Sequence, residues 1–467
     1  MSTNTSSPGE TSPQQMRTVI LSSTLGTAIE WYDFFLYGTM ATLIFPKLFF
    51  PESDPVVGTL LSLFTFLVGF IARPFGGALF GHLGDRIGRK STLVATLLLM
   101  GISTCIIGIL PGYGTLGLGA ALLLTLMRLC QGLGVGGEWG GSVLLAMEYG
   151  HKRNRGFWAS WPQMGAPLGL ALSTVVVAIV SAAMPESSFA SWGWRIPFFV
   201  SALLIIMGLY IRLRVLETPL FAQIKEQKRE TRAPILHAFR HSTPEILLSA
   251  GSRFVEQAPF YLFATFVVTY GVDKLLLDKT LILNSIVAAS VLEMITIPIF
   301  GYLSDRFGRR RWYLIGCVLM LAFAYPYFML MNGGTVTFVL AVVLSLALFH
   351  SWVYGPQAAM IAERFSTRSR YSGASLGYQL AAPFAGGLAP IIALLLLNGK
   401  TKLTALGLSG VTLNIGSGSW QAVALYVVIL SVISFACVLG LKELSHADIS
   451  STEEDKISAP LAVAGDD

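Results

Sequence analysis

Twelve apolar stretches of membrane-spanning length occupy most of this 467-residue chain. A hydrocarbon core about 30 Å thick needs about 20 apolar residues per helix, so each stretch is long enough to cross it. With 54% hydrophobic and only 12% charged residues, the chain has no room for a large soluble domain. We therefore predict an all-α membrane protein with twelve transmembrane helices. The stretches lie near 17–45, 56–80, 91–110, 119–147, 156–182, 193–214, 245–271, 281–302, 312–331, 335–362, 372–397 and 420–441.

Lysine and arginine residues outside these stretches fall mainly on one side of the predicted membrane. When the connecting segments are assigned to alternate sides, one side carries 23 of them and the other carries six. We call the first the basic side. Short loops rich in lysine and arginine stay in the cytoplasm, so the basic side and both termini are predicted to be cytoplasmic. The formal charge of +6 then reflects topology, and no nucleic acid partner is expected.

A charged and polar segment divides the stretches into two sets of six. The predicted organisation is a cytoplasmic tail 1–16, a six-helix bundle 17–214, a cytoplasmic linker 215–243, a second bundle 244–441 and a cytoplasmic tail 442–467. The first tail lacks the basic and apolar regions of a cleaved signal peptide, so the first stretch is expected to be retained. The four cysteines lie in apolar runs without metal-like spacing, and no metal or cofactor is expected.

Two short motifs recur at a nearly constant offset between the two sets. GHLGDRIGRK at 81–90 returns as GYLSDRFGRR at 301–310, 220 residues later. QMGAP at 163–167 returns as QLAAP at 379–383, 216 residues later. Many secondary transporters are built from such internal repeats. The chain is therefore interpreted as two homologous six-helix bundles related by pseudo-symmetry.

The duplicated loops carry charges suited to a gate on the basic side. An aspartate in each loop can cap the next helix and pair with a nearby arginine. In each half a glutamate also precedes arginines that it can pair with: Glu148 precedes Arg153 and Arg155, and Glu363 precedes Arg368 and Arg370. The alternative is an ordinary basic loop with solvated helix ends. The predicted gating residues are Asp85, Arg89, Asp305, Arg309, Glu148, Arg155, Glu363 and Arg370.

Longer motifs in the first half, with G-x-L-x-D-R-x-G-R in both halves, resemble those of a known family. They are GTAIEWYDFFLYG at 26–38, ARPFGGALFGHLGDRIGRK at 72–90, RLCQGLGVGGEWGG at 128–141 and SWGWRIPF at 191–198. The repeated motif is similar to the signature of the major facilitator superfamily, and the longer ones resemble its metabolite:proton symporter family. This resemblance covers nearly all of residues 17–441. It implies that fold, the inner (plasma) membrane, and solutes such as shikimate, 2-oxoglutarate, citrate, dicarboxylates, proline or betaine.

Eight charged residues lie inside the predicted spans, where each costs at least about 2.5 to 3.5 kcal/mol to insert. Glu30 and Asp33 share one face of the first helix, and a carboxylate in a dry site binds a proton more readily than one in water. The related sugar porters face an acid on the first helix toward an arginine on the fourth. This resemblance implies that Asp33 and Arg128 form the proton switch, with Glu30 as a further coupling acid; a permanent ion pair is the alternative. The eight are Glu30, Asp33, Arg73, Arg128, Glu138, Arg253, Glu256 and Glu293.

Other polar residues in the spans are candidates for binding the solute. Arg73 lies about 12 Å inward from the basic-side turn, where an arginine can hold a carboxylate bidentately. Pairing with Glu30 or Glu138 is the alternative. Arg253 offers a second anchor unless Glu256, three residues on, neutralises it. The hydrogen-bonding candidates are Tyr37, Gln163, Tyr354 and Gln379, and Glu293 and His350 are candidates for a proton path.

Together these features predict a secondary transporter rather than an enzyme. The sequence contains no nucleotide-binding loop and no common hydrolase or metalloprotease motif, which argues against a pump driven by ATP and against a membrane enzyme. We expect import of a small organic acid or related metabolite by proton symport with alternating access. An osmolyte or polyol symporter, a uniporter and a sensor remain alternatives. The expected partners of the monomer are the solute, protons and lipid.

Overall fold

Long helices make up nearly all of the chain that the computed structural model describes, which is residues 13–213, 242–365, 370–398, 400–402, 412–414 and 419–445. The first half contains α1 (Pro13–Leu43), α2 (Pro55–Ile87), α3 (Arg89–Ile109), α4 (Leu118–Tyr149), α5 (Arg155–Ala182) and α6 (Ile196–Leu213). The second half contains α7 (243–274), α8 (Lys279–Phe307), α9 (Arg309–Met331), α10 (Thr335–Ala362), α11 (Arg370–Asn398) and α12 (Trp420–Leu439).

Ten of these helices are apolar and long enough to cross a membrane within the described ranges. The other two, α1 and α7, each come first in their half, and each carries two buried charged side chains near its middle. The prediction of an all-α membrane protein with twelve helices in two pseudo-symmetric bundles is confirmed. A short antiparallel pair of strands, β1 (Lys400–Lys402) and β2 (Thr412–Asn414), lies between α11 and α12 and was not anticipated.

Two predicted boundaries differ from the structure or fall outside it. The tail was predicted to reach residue 16, but α1 begins at Pro13, because proline is well suited to the first turn of a helix. Most of the predicted linker 215–243 lies outside the described residues, and so does the end of the second tail. The division into domains therefore stays a prediction.

Glycine residues bring α2 and α4 into backbone contact. A side chain at Gly132 would overlap the carbonyl group of Gly69, and one at Gly136 would overlap the carbonyl group of Arg73. Small residues allow membrane helices to approach this closely. The position of the Arg73 backbone is therefore fixed by the glycine-rich stretch of α4.

The two halves meet through helix pairs that are equivalent under the internal repeat. On α2, a Cβ atom added to Gly81 would lie 3.2 Å from Cα of Ser372 on α11. On α8, a Cβ atom added to Gly301 would lie 2.7 Å from the carbonyl oxygen of Gly156 on α5. Gly81 corresponds to Gly301 in the repeat, so the same close approach occurs twice.

Several helices of the second half are interrupted by π-helical turns. α7, α10 and α11 contain π-helical turns at Leu262–Phe266, Ser345–His350 and Ala382–Gly387. Such turns are frequent at functional sites because they redirect side chains within a helix. The turn in α10 ends at His350, which lies beside the cavity described next.

Candidate functional site

A small, narrow cavity lies between the two halves. Its wall combines four aromatic rings with charged and amide side chains. The lining residues are Trp31, Ala166, Arg253, Glu256, Gln257, Phe260, Tyr261, His350 and Tyr354.

Arg73 on α2 is a buried cation near one wall of this cavity. Its guanidinium carbon lies 4.0 Å from the ring centre of Phe34, 4.5 Å from that of Phe70 and 5.1 Å from that of Trp31. None of its three side-chain nitrogens donates a hydrogen bond to a described residue. Cation–π contacts contribute about 2 kcal/mol when desolvated, which is less than the several kcal/mol that burying the ion costs. Arg73 is therefore suited to bind an anion.

The predicted proton switch joins α1 and α4. Arg128 donates from Nη1 to Oε1 of Gln131 at 2.9 Å, and its guanidinium carbon lies 3.9 Å from the ring centre of Phe34. Its Nε and Nη2 make no hydrogen bond with described residues, nor does Oδ1 of the buried Asp33. The structure thus shows both groups with unused hydrogen-bonding capacity. That Asp33 alternates between binding a proton and pairing with Arg128 stays a prediction.

Two more acids of the first half, Glu30 and Glu138, are also buried. Glu138 accepts a hydrogen bond from Oγ1 of Thr27 at 3.2 Å and another from the hydroxyl group of Ser142. With Asp33, three buried acids lie in the spans of this half together with the buried Arg73 and Arg128.

Arg253 on α7, in contrast to Arg73, is surrounded by acceptors. Its Nη2 lies 3.0 Å from Oε2 of Glu256, and its Nε donates to Oε1 of Gln357 at 3.3 Å. Nη1 donates to the carbonyl oxygen of Tyr378, whose ring centre lies 3.3 Å from the guanidinium carbon. Of the two interpretations left open by the sequence, neutralisation by Glu256 is the arrangement found here.

His350 on α10 connects two acids that are far apart in the sequence. Its Nδ1 bonds to Oε1 of Glu293 on α8, and its Nε2 lies 3.6 Å from Oε1 of Glu256 on α7. The rings of Phe260 and Tyr354 flank the imidazole, with centres 4.7 and 4.8 Å away. Sequence analysis named Glu293 and His350 together as candidates for a proton path but had no signal that would place Glu256 beside them, because 94 residues separate Glu256 from His350.

Two predicted solute ligands, Gln163 and Gln379, donate hydrogen bonds between the halves, and their role in binding the solute stays a prediction. Nε2 of Gln163 on α5 donates to the carbonyl oxygen of Tyr354 on α10 at 3.3 Å. Nε2 of Gln379 on α11 donates to the carbonyl oxygens of Val135 and Gly136 on α4, also at 3.3 Å. These bonds are equivalent under the repeat, since α5 corresponds to α11 and α10 to α4.

The other two predicted donors differ in their surroundings. Tyr354 lines the cavity, and its hydroxyl group lies 3.5 Å from that of Tyr378. The hydroxyl group of Tyr37 bonds to Oγ1 of Thr65 at 2.6 Å, and its ring lies under Arg128. Gln257 was missed by sequence analysis, although its amide lines the cavity and has no hydrogen bond with described residues.

On the basic side, Asp305 at the end of α8 caps the start of α5. Its two carboxylate oxygens accept hydrogen bonds from the backbone N–H groups of Gly156 and Phe157 at 2.8 and 2.9 Å. It also pairs with Arg309 at 2.9 Å. The carboxylate interacts favourably with the positive end of the α5 dipole. Asp305 therefore links the halves directly, as a gate requires.

Ion pairs reinforce this contact between the halves. Glu363 binds Nε of Arg309 at 2.7 Å and lies 3.5 Å from Arg155 of the first half, while Glu148 lies 4.0 Å from Arg370 of the second. Sequence analysis considered partners within one half, as Arg309 and Glu363 are. The Arg155–Glu363 and Arg370–Glu148 pairs cross between the halves, where α4 and α10 end and α5 and α11 begin. The side chains of the predicted gating residues Asp85 and Arg89 lie outside the described part.

Aromatic and aliphatic contacts join the halves on the other side of the cavity. The ring of Phe35 lies 5.5 Å from that of Phe260, and the ring of Phe66 lies 6.1 Å from that of Tyr261. Leu67 on α2 packs in a cluster with side chains of α11. Contacts between the halves are thus present on both sides of the cavity.

Comparison with known proteins places the chain among transporters. The family model described as Major Facilitator Superfamily matches residues 23–390 and 277–463. The chain is 40% identical over 380 residues to the inner membrane metabolite transport protein YhjE of Escherichia coli, covering 80% of this chain and 86% of that protein. It is 37% identical to the shikimate transporter of Escherichia coli, covering 94% and 97%, and 34% identical to the proline/betaine transporter of Salmonella typhimurium, covering 92% and 84%.

A solved structure supports the fold independently. The xylose transporter XylE from Escherichia coli, in a partially occluded inward open conformation, superposes with a TM-score of 0.70. The match covers 92% of this chain and 98% of that one, at 18% sequence identity. At this identity the likeness concerns the fold alone.

Proposed function

We propose that this chain, which belongs to the Major Facilitator Superfamily, imports a small organic acid across the inner membrane together with protons. It is a multi-pass membrane transporter, as its relatives are, and transport rather than catalysis is the activity of that family. The names of two relatives include shikimate, proline and betaine, all of which carry a carboxylate. A carboxylate is also the group that the buried arginines of this chain are suited to bind.

The observation that carries the proposal is the guanidinium group of Arg73, which has the hydroxyl group of Tyr261 nearby but makes no ion pair with an acid among the described residues. A buried arginine without an acceptor is costly unless a ligand supplies one. Arg73 and Arg128 lie 4.0 and 3.9 Å from the ring centre of Phe34, so two cations with unused N–H donors converge on the same ring. An anionic solute that reaches them neutralises charge and satisfies donors at the same time.

A second candidate solute is a zwitterionic osmolyte, and the aromatic wall favours it. The rings of Trp31, Phe260, Tyr261 and Tyr354 line the cavity beside Glu256. Aromatic faces next to an acid are the usual surroundings of a quaternary ammonium ligand. Glu256 is already paired with Arg253, however, and this pairing makes the organic acid the better supported solute.

Proton coupling in this proposal rests on Asp33 and Arg128, which both have side-chain atoms without a hydrogen bond to described residues. When Asp33 is protonated, Arg128 is free to attract the solute carboxylate; when the proton leaves, Arg128 favours the ionised acid again. Glu30, on the same helix face, is the alternative proton carrier. The Asp305 contact closes the basic side during part of this cycle.

The deciding experiment measures uptake by purified protein in proteoliposomes. The panel consists of a cyclic hydroxy acid, a dicarboxylate, betaine and a neutral sugar, each with an imposed pH gradient and with or without an uncoupler. We expect accumulation of a carboxylate that the uncoupler abolishes. Uptake of the sugar, or accumulation that does not respond to the uncoupler, would contradict the proposal.

Topology is tested separately by cysteine labelling. Single cysteines at positions 225 and 455 should react only with reagent on the cytoplasmic side, and those at 52 and 400 only from outside. Labelling of position 225 from outside would overturn the predicted orientation of the basic side.

A further inference from the structure

The second half contains a line of buried titratable groups that the proposed coupling does not use. Glu256, His350 and Glu293 come from α7, α10 and α8 and are all nearly inaccessible to solvent. His350 lies in the middle, bonded through Nδ1 to Glu293 and with Nε2 3.6 Å from Glu256. Arg253 ends the line, 3.0 Å from the other oxygen of Glu256.

The formal charges in this line do not cancel unless a proton is added. Two ionised glutamates, one arginine and a neutral histidine sum to a charge of minus one, and one proton brings the sum to zero. A net charge is costly in a low-dielectric interior, whereas a neutral, hydrogen-bonded group is tolerated. The buried line is therefore most stable with one proton, which the imidazole and its two carboxylate neighbours share.

Other ionisable groups near His350 do not change this count. Tyr261 on α7, Tyr313 on α9, Tyr354 on α10 and Tyr378 on α11 face the line, and tyrosines are neutral at physiological pH. From the first half, Trp31 and Ala166 line the cavity and do not titrate, and Arg73 is within electrostatic reach of Arg253. The nearby cation opposes binding of the extra proton, but a solute carboxylate on Arg73 removes that opposition.

The line also lies where a solute would be bound. Arg253, Glu256 and His350 all contribute to the wall of the cavity. An anion in the cavity adds one negative charge beside the line and so favours the protonated form. Binding of the solute and binding of the proton therefore strengthen each other, which is the requirement for symport.

We infer that His350 with Glu256 and Glu293 forms a second proton-binding site, so that one transport cycle carries two protons, one in each half. The inference rests on the proposed function, in which Asp33 carries the first proton. Each proton is taken up from the outer solution together with the solute and released to the cytoplasm with it.

The test is the ratio of protons to solute in proteoliposomes at zero membrane potential. With two protons, a gradient of one pH unit supports about 100-fold accumulation of the solute, and with one proton about 10-fold, because each proton contributes a factor of ten. Glu293→Gln makes the line neutral without a proton while keeping the shape of the side chain. We expect wild type to reach about 100-fold, and Glu293→Gln and Asp33→Asn about 10-fold each.

Two further variants serve as a replacement and a control. If Glu293→Gln is not recovered in the membrane, Glu256→Gln replaces it, because it makes the same change in charge and should also reach about 10-fold accumulation. Asp273→Asn, an exposed acid at the other end of α7, is the matched control and should match wild type.

The possible outcomes separate the two proposals. About 10-fold accumulation that Asp33→Asn abolishes and Glu293→Gln leaves intact overturns the second site but leaves symport standing. If wild type accumulates the solute about 10-fold and only Glu293→Gln abolishes this accumulation, one proton moves per cycle and Asp33 does not carry it. Both the count of two protons and the role of Asp33 are then overturned. Accumulation that is independent of the pH gradient in wild type overturns the proposed function itself.

Discussion

The two halves of this transporter share an arrangement of helices but treat their buried charges differently. In the first half, Arg73 has no hydrogen-bond acceptor among the described residues, and Arg128 and Asp33 each have unused capacity. In the second half, Arg253 is bonded to an acid, an amide and a carbonyl group. Duplication thus preserved the packing of helices while the halves diverged in which charges are left for a ligand.

This difference shows how one fold can assign solute binding and proton binding to different sets of buried residues. Unsatisfied donors in a dry interior are costly and therefore favour binding of an anion, whereas adjoining acids and an imidazole are suited to hold or release a proton. We expect the first half to dominate affinity for the solute and both halves to share proton coupling. The following predictions are arranged from the largest expected effect to the smallest.

The first prediction removes the extra acid from both halves. The double variant Asp33→Asn with Glu293→Gln removes both proposed proton-binding sites, so pH-driven accumulation should fall from about 100-fold to none. Exchange of labelled for unlabelled solute needs no net proton release and should survive. Both activities are measured in the same proteoliposomes. Accumulation that persists in the double variant would show that another acid, such as Glu30 or Glu138, carries a proton.

The second prediction concerns affinity and compares the arginines of the two halves. Arg73→Gln should raise KM for the solute about 10- to 150-fold, since a hydrogen bond to a charged group contributes about 1.5–3 kcal/mol. Arg73→Lys should keep part of the affinity because the charge remains. Arg311→Gln, an exposed arginine on the basic side, is the control. A KM for Arg73→Gln equal to that of wild type would exclude Arg73 as the anion anchor.

Sequence analysis predicted the fold because its signals are local or periodic. Hydrophobic length identified the spans, and the repeated loops identified the duplication. It could also nominate Arg73 and Arg128, since a charge within an apolar run is conspicuous. It could not predict that Arg73 lacks an acceptor while Arg253 has three, because partners such as Gln357 and Tyr378 lie more than 100 residues away along the chain.

Because partners that are distant along the chain cannot be read from the sequence, the hydrogen bonds of Gln163 and Gln379 were also not predicted. Their repeat marked them as equivalent, and the structure shows equivalent bonds. A glutamine in a membrane helix, however, satisfies its amide either with a ligand or with a neighbouring backbone carbonyl. Only the distance between helices decides, and that distance follows from the glycines at the interface. Sequence alone therefore identified the residues but not these hydrogen bonds.

The third prediction addresses the gate. Asp305→Asn can still cap the start of α5 but loses the charge that interacts with the helix dipole and Arg309. The loss of about 0.3–1 kcal/mol should open the basic side more often and change turnover about two- to fivefold. Binding of the solute should be unchanged. A cysteine introduced at position 160 should become more reactive from the cytoplasm in Asp305→Asn, whereas equal reactivity would argue against the gate.

The last prediction, with the smallest expected effect, tests whether equivalent contacts between the two halves contribute equally when the halves close around the cavity. Gln163→Ala and Gln379→Ala each remove an amide that donates at 3.3 Å to a backbone carbonyl of the opposite half. Gln163→Ala also removes the acceptor of a bond from Nε1 of Trp139, which lies within the first half. Such bonds contribute about 0.5 kcal/mol at the weak end of their range, so each variant should change turnover about twofold. Because α5 with α10 and α11 with α4 are equivalent pairs, the two effects should be similar and should combine additively in the double variant. If either residue instead binds the solute, its variant raises KM strongly and the symmetry between the two variants is lost.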